Sequence, residues 1–527
     1  MVVIIFPPQW IPNHSYLAPF LLCARLKAKG IDCRVYDFNL LFYQTFLREG
    51  VLTNFRGSKL FFNPSIYNKT LQKAKDAFSF NNDFVSIDMF SVLFKYKAYK
   101  STELWKALKD KNNIFYQAFA KYLEKINLSG CEVLGISVIA YSQIIPALTL
   151  AYLVKQIKQD IKIILGGDMI SRIAAALKKE GKIWEYVDAI ICGEGEYAID
   201  DIANSIKAGW KLDLKKVPNT ITKNSEDSLI EKIPFDLSKY RMADYSDINI
   251  RDYLSPLPIM TLEMSRGCYW SKCAYCETTE VPFRSRNIND VVDEVEYLYI
   301  KHNVQHFSFA DLALPPNKMF LFASEINKRR LPIYWKCMIR AEPIFIQKNI
   351  EILYKGGCRM VLLGIESIDN KILKTINKGT DPLLISEILK KFSENNIWVH
   401  GYFMIGFPGE TKQQIMKTLN FILNNNQTLN SFSISKFVLL RDSIYFRNSK
   451  LYNIAIYKNQ NENLRTAHFK FNSGTSYEFA SIERKIKRIL EVHPYVYSKW
   501  KSFDINYLFL YITQKGISYF KKTSVNN

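Results

Sequence analysis

The densest chemical signal in this chain is the stretch Arg266-Gly267-Cys268-Tyr269-Trp270-Ser271-Lys272-Cys273-Ala274-Tyr275-Cys276. Four residues separate its first two cysteines and two separate the second from the third. Thiolates are the ligands that hold iron–sulfur clusters. A short loop can wrap three of them around one face of a four-iron cubane. One iron then has no protein ligand and can bind a small molecule through an amine and a carboxylate. Two other readings stay open. A zinc site would need a fourth ligand to close it, and none stands nearby: the next histidine is His302, and Cys337 belongs to another predicted strand. The three cysteines could also be unliganded thiols. The chain has nine cysteines, an odd and otherwise dispersed set that does not suggest a disulfide framework. The remaining six read as small buried hydrophobes, with Cys192 and Cys337 at strand ends. The six histidines, His14, His302, His306, His400, His468 and His493, share no spacing and read as structural or surface groups.

The elements that must position this loop follow a regular order. It comes directly after a predicted strand at 261–264. Further strands are expected near 306–309, 334–338, 360–363, 398–404 and 431–437, with helices between them such as 288–301 and 383–395. Six strand–helix units suit a partial (β/α)6 barrel, whose site lies at the carboxyl ends of the strands. Upstream, apolar runs at 2–6, 33–36, 133–138, 162–165 and 189–192 alternate with helical patterns at 16–29, 144–159, 170–179 and 197–208. That alternation predicts an α/β fold opening on a doubly wound, Rossmann-like domain. Ligands of such sheets also sit at strand carboxyl ends, and Ser137, Gly166, Gly167, Gly193 and Gly195 fall there. The expected organisation is a Rossmann-like domain at 1–225 with a helical insertion at about 41–128. A linker at 226–258, the barrel at 259–450 and a mostly helical C-terminal region at 451–527 follow.

In these motifs the chain resembles the radical SAM (S-adenosylmethionine) superfamily, in the subclass with an N-terminal cobalamin-binding domain. The resemblance covers roughly residues 1–440. It implies a [4Fe–4S] cluster on Cys268, Cys273 and Cys276. Around the SAM it implies Tyr275 near the adenine, Asp311 at the amine and Arg340 at the carboxylate. It puts Glu366 and Ser367 near the ribose, and Gly406, within Met404-Ile405-Gly406-Phe407-Pro408-Gly409-Glu410-Thr411, on the adenine side. Phe283-Arg284-Ser285-Arg286 is similar to the segment that follows the cluster loop. The usual pattern has three residues between the first two cysteines, against four here. In the first domain Trp10, Ser137, Gly166, Gly167, Gly193 and Glu194 resemble the cobalamin side. The Asp-x-His-x-x-Gly cobalt-ligand motif of free-standing cobalamin proteins does not occur here.

The activity so implied is methylation of an unactivated carbon, in natural-product or modified-peptide biosynthesis. A non-methylating rearrangement or cyclisation is the alternative, and a cofactor-binding sensor is a third reading. The implied partners are a small-molecule or peptide substrate and an external one-electron reductant such as flavodoxin or ferredoxin.

Bulk properties agree with an enzyme rather than a membrane or disordered protein. The chain has 527 residues, 48% of them apolar, enough for several cores. No apolar run reaches the roughly 18 residues of a membrane span, and the apolar start lacks a positive leader, so a cytoplasmic protein is expected. The net charge of +21 comes from lysines spread along the whole chain. Arg484, Lys485, Lys487 and Arg488 form the densest basic group, readable as a solvated helix face. A nucleic-acid partner is not expected.

Overall fold

The computed structural model describes residues 1–78, 84–86, 92–126, 128–209, 213–225, 232–277, 281–457, 464–467, 469–473, 479–492 and 504–523. His468, His493 and parts of the expected insertion and linker lie outside these residues. The chain forms two compact units, residues 1–256 with 459–466, and residues 257–458 with 467–527. Among the described residues no helix is long and apolar enough to cross a membrane.

The first unit is a six-stranded sheet. Its strands are β1 (Val2–Phe6), β2 (Cys33–Asp37), β3 (Val133–Ser137), β4 (Lys162–Gly166), β5 (Ala189–Ile191) and β6 (Thr220–Ile221). The spatial order is β2-β1-β3-β4-β5-β6. All neighbours are parallel except β5 and β6, which pair antiparallel through Ile190 and Ile221. Every residue of β1 is buried, as a parallel strand covered on both faces should be. The covering helices include α1 (Leu17–Ala28), α2 (Ile144–Ile157), α3 (Asp168–Lys179) and α4 (Glu196–Lys207). The order 2-1-3-4-5 reverses direction between β1 and β3, and that switch point opens a crevice at the strand carboxyl ends.

Between β2 and β3 the chain builds helices at Phe38–Phe46, Glu49–Arg56, Pro64–Ala77, Ser101–Lys109 and Ile114–Leu123. Their shared core is aromatic: the Phe42 ring lies 5.3 Å from Phe115 and 5.9 Å from Phe78. The irregular stretch after β6 is held on this unit by polar anchors. Arg25 forms an ion pair with Asp200 and donates to the Lys239 carbonyl, and Tyr253 donates to Asp37 at 2.5 Å.

The second unit carries β7 (Ile259–Leu262), β8 (His306–Phe309), β9 (Tyr334–Arg340), β10 (Cys358–Glu366), β11 (Trp398–Ile405) and β12 (Ser431–Lys436). They lie side by side in chain order, all parallel, as a partial barrel requires. Four helices on the outer face are α5 (Ile288–His302), α6 (Pro316–Lys328), α7 (Pro382–Glu394) and α8 (Lys412–Asn424). Their starts follow sequence rules. Asp381 accepts from the Leu383 and Leu384 amides with Pro382 at the first turn, and Thr411 and Gln414 form a capping box. Phe309, Phe322 and Trp335 stack edge to face between strands and α6, so alternate residues such as Ser308 and Lys336 point to the inner face.

Three C-terminal helices complete the described part of the unit: α9 (Phe479–Val492), α10 (Ile505–Lys515) and α11 (Ile517–Thr523). On α9, Ile482 and Ile489 are buried. Arg484, Lys487 and Arg488 are exposed, which makes the densest basic group a solvated face. Residues 507–512 of α10 are all buried. Its Phe509 ring lies 5.8 Å from His306, at the amino end of β8.

Candidate functional site

The cysteine loop sits at the carboxyl ends of β7, β9 and β10, anchored from several sides. The Ala274 amide donates to the Ile376 carbonyl at 2.9 Å, and Trp270 Nε1 donates to the Asn377 carbonyl at 2.8 Å. Gly379 makes this docking possible. Its φ is +69°, and a Cβ there would stand 2.1 Å from the Trp270 ring, so neither conformation nor space admits a side chain. The root of the loop is held by Asp311, whose buried carboxylate accepts from the Met264 amide at 3.0 Å and the Ser265 hydroxyl at 2.5 Å. Burial pushes the Asp311 carboxyl up to about 7 despite those two donors. Arg286 braces the same root, pairing with Glu294 at 2.6 Å and donating to the Glu263 carbonyl at 2.8 Å.

Cys273 is buried, while Cys268 and Cys276 are half-buried. Two cations act on Cys273. Arg340 Nη1 lies 4.0 Å from its Sγ, and the Arg340 guanidinium sits 4.2 Å over the Trp270 ring. Burial raises the Cys273 thiol pKa, and Lys378 and Arg340 oppose that rise. The net effect is upward, and the two cations are the part of the setting that favours thiolate, the ligand form; three cysteines within nine residues beside them fit a thiolate-held group. Among the described residues no three His, Cys, Asp or Glu side chains converge as they would around one metal ion.

Around Cys273 the structure gathers several residues singled out from sequence. Glu366 ends β10 with a left-handed φ of +68°. Its carboxylate accepts from Tyr275 Oη and Lys378 Nζ, both at 3.0 Å. Burial drives the Tyr275 phenol well above its ordinary pKa, with Glu366 and Cys273 adding to the rise. The Tyr275 ring lies 5.7 Å from Phe407, tilted by 59°, next to Gly406. Arg340 donates to the Lys378 carbonyl at 2.7 Å and to Glu342 at 3.1 Å. Gly406 and Phe407 donate their amides to Glu410, whose carboxyl burial pushes up to about 7. Ser367 stands apart: fully buried, it accepts from the Asp369 amide at 3.2 Å and meets Thr418 of α8 at 3.3 Å.

Lys378 and Glu342 complete this constellation without having been singled out from sequence, and Glu410 stands in the quoted segment without a role of its own. Lys378-Gly379 beside a helix end was the available signal, a lysine next to a glycine that a tight turn requires.

In the first unit, the residues expected at the strand ends do collect at the carboxyl edge. Gly167 has φ +102°, and a Cβ would fall 2.3 Å from the Val138 carbonyl oxygen. Its glycine is thus required by the protein's own packing. The Gly193 amide donates to Ser171 Oγ at 2.8 Å, and the Glu194 carboxylate accepts from the Phe235 amide at 2.7 Å. Ser137 is buried beside Gly166, where an added Cβ meets only Ile191 at 3.8 Å. The loop after β1 differs. Among the described residues Trp10 Nε1, Gln9 Nε2 and Ser15 Oγ are buried without a hydrogen-bond partner. Buried polar atoms are ordinarily satisfied, which makes this loop an exception within the unit's packing.

Residues 262–422 match the model of the radical SAM superfamily. The chain is 24% identical over 320 residues to an uncharacterised methyltransferase of Pyrococcus horikoshii, covering 59% of this chain and 67% of that protein. It is 25% identical over 308 residues to the anaerobic magnesium-protoporphyrin IX monomethyl ester cyclase of Rubrivivax gelatinosus, covering 56% and 54%. It thus spans about half to two thirds of the length of these curated relatives. Its fold is similar to that of TsrM from Kitasatospora setae, a radical SAM methyltransferase with cobalamin and a [4Fe–4S] cluster bound. The TM-score is 0.66 at 12% identity, over 99% of this chain and 98% of that one. A second TsrM structure, with tryptophan substrate and a SAM analogue, gives 0.63 at 13% identity over 96% and 89%. Residues 262–422 thus carry a radical SAM domain, and the fold of the chain is similar to that of TsrM.

Proposed function

We propose that this chain is a cobalamin-dependent radical SAM enzyme that methylates an unactivated carbon of a small molecule or peptide. The observation that carries the reading is the cationic setting of the thiol loop, where Arg340 and Lys378 both bear on buried Cys273. Cys268, Cys273 and Cys276 are the residues that would hold the [4Fe–4S] cluster. Arg340 suits the carboxylate of SAM, because guanidinium pairs with carboxylate through two parallel hydrogen bonds. The Tyr275–Phe407 pair beside Gly406 offers an aromatic wall for adenine. Asp311 holds the loop root, and Ser367 locks the turn after β10 onto α8. Trp10, Ser137, Gly166, Gly167, Gly193 and Glu194 outline the cobalamin side.

When bound, these cofactors supply the electron that cleaves SAM and the methyl group that is transferred. The residues of this chain position them and exclude water. TsrM, with its tryptophan substrate, supports a small-molecule substrate. An external one-electron reductant of the flavodoxin or ferredoxin type and a natural-product or modified-peptide pathway belong to the same reading. The likeness to an anaerobic cyclase supports a second reading, a non-methylating cyclisation or rearrangement.

The test is anaerobic turnover of reconstituted protein with SAM, reductant and cobalamin. 5′-Deoxyadenosine and S-adenosylhomocysteine are quantified by mass spectrometry, with Cys273→Ala as control. Both products in the wild type, with deoxyadenosine lost in the control, are the expected result. Deoxyadenosine alone favours the second reading. Neither product, from protein carrying an assembled cluster, overturns both.

A further inference from the structure

The inner layers of a parallel barrel are ordinarily packed with branched apolar side chains. This barrel departs from that rule in its middle layer. Ser308 of β8, Lys336 of β9, His400 of β11, and Ser431 and Ser433 of β12 all face one another there. Lys336 Nζ donates to Ser308 Oγ at 2.7 Å. The His400 ring uses both nitrogens, on Ser431 at 2.7 Å and Ser433 at 3.0 Å. The Tyr402 ring stacks edge-on to His400 at 4.9 Å.

Lys336 is the anomaly in this set. It is 4% exposed, yet no carboxylate forms an ion pair with it among the described residues. Its one hydrogen bond leaves two of three ammonium donors unused. A buried, unpaired ammonium is costly, and burial lowers this one to about 8. Asp504, just before α10, opposes that lowering from a distance. His400 does not compete as a cation, since burial, with Lys336 adding, holds it neutral by lowering it to about 3. Exposure rises toward the strand carboxyl ends: Tyr402 and Met338 are half-buried and Ser433 is exposed. The lumen therefore opens on the side of the cysteine loop, with Lys336 at its floor. Arg340 lies four positions beyond Lys336 along β9, roughly 13 Å of strand.

We propose that Lys336 is the anchor for a carboxylate of the substrate, which makes this an enzyme for an acid-bearing small molecule entering the barrel acid group first. The inference rests on the barrel being the substrate site of the radical SAM reading above. A carboxylate at Lys336 supplies the missing counter-charge, and the serines and Tyr402 supply polar walls. The distance to Arg340 sets the reacting carbon well away from the acid group.

The experiment is thermal unfolding of the full chain with benzoate or acetate, against the uncharged isosteres benzamide and acetamide, at equal ionic strength. Wild-type protein is expected to melt roughly 2 °C higher with the carboxylate than with its amide at ligand concentrations well above Kd. Lys336→Met is expected to lose that difference, and to melt no lower than wild type without ligand, because it removes an unpaired buried charge. Lys336→Gln serves the same comparison if the Met variant does not fold. Equal shifts from carboxylate and amide overturn the proposal. So does a carboxylate effect that persists in both variants, as diffuse binding to a basic protein would give. Ligand-free variants melting several degrees below wild type would make Lys336 a structural residue and also overturn it. The melts need neither SAM nor cluster chemistry, so their failure is distinguishable from failure of the deoxyadenosine assay.

Discussion

Lys378→Met removes the ammonium that pairs with Glu366, and its cost can be worked from the geometry. The two side chains are 6% and 11% exposed and lie 3.0 Å apart. Removing one member of a buried pair leaves the other charged and unpaired, at a cost of about 3–5 kcal/mol. The low end applies here, because Glu366 keeps the Tyr275 hydroxyl at 3.0 Å. For a unit of this size about 3 kcal/mol corresponds to a fall in Tm of roughly 6–12 °C. The companion variant is Glu366→Gln combined with Lys378→Met, which leaves no orphaned charge and is expected to recover most of the loss. Scanning fluorimetry of wild type, Lys378→Met, Glu366→Gln and the double variant, in one buffer and without SAM, closes the cycle. The reasoning is refuted if Lys378→Met melts within about 1 °C of wild type, or if the double variant melts as low as the single one. Either outcome would mean that water or main-chain groups satisfy Glu366 in place of Lys378.

Two further predictions use the same unit. Gly379→Ala forces a Cβ into the Trp270 ring at a left-handed φ; it is expected to lower the Tm and to expose Trp270, read as a red-shifted emission, whereas an unshifted spectrum would show that the turn can relax. Glu410 has its carboxyl raised by burial to about 7 in the fold, above its unfolded value of about 4.3. Its ionisation therefore destabilises the fold above pH 7, and the penalty fades as pH falls toward the unfolded value. Glu410→Gln is expected to be the more stable protein at pH 8 and to lose that advantage by pH 5, measured by urea unfolding across pH; a constant difference would show that Glu410 does not titrate in this window.

Where chain neighbours are also spatial neighbours, the sequence is informative. The period-two and period-3.6 patterns lead to both sheets and their order, because each βα unit is local and right-handed crossovers leave little choice. The thiol loop is legible for the same reason, as three cysteines within nine residues cannot be far apart. Residues brought together by turns are harder to read. Lys378 reaches Glu366 only because a helix and a tight turn bring the chain back under Cys273. No spacing rule forecasts that return. Asp311 and Ser367 show a related difficulty. A polar residue just past a strand looks the same in sequence whether it faces a ligand or ties down its own backbone, and both of these are tied to backbone.

Lys336 is a different case, because its information was local and still went unread. It sits in Tyr334-Trp335-Lys336-Cys337-Met338, where the flanking residues fix a strand and alternation fixes Lys336 opposite Trp335. A lysine on the face opposite a helix-packed tryptophan must point into the barrel. At its depth the inner face offers almost no solvent, since Lys336 is buried. A charged residue there is a cost that folding alone does not repay. Its presence in an inward row asks what binds to it, and the neutral His400 and the serines around it leave an anion as the answer that balances the charge.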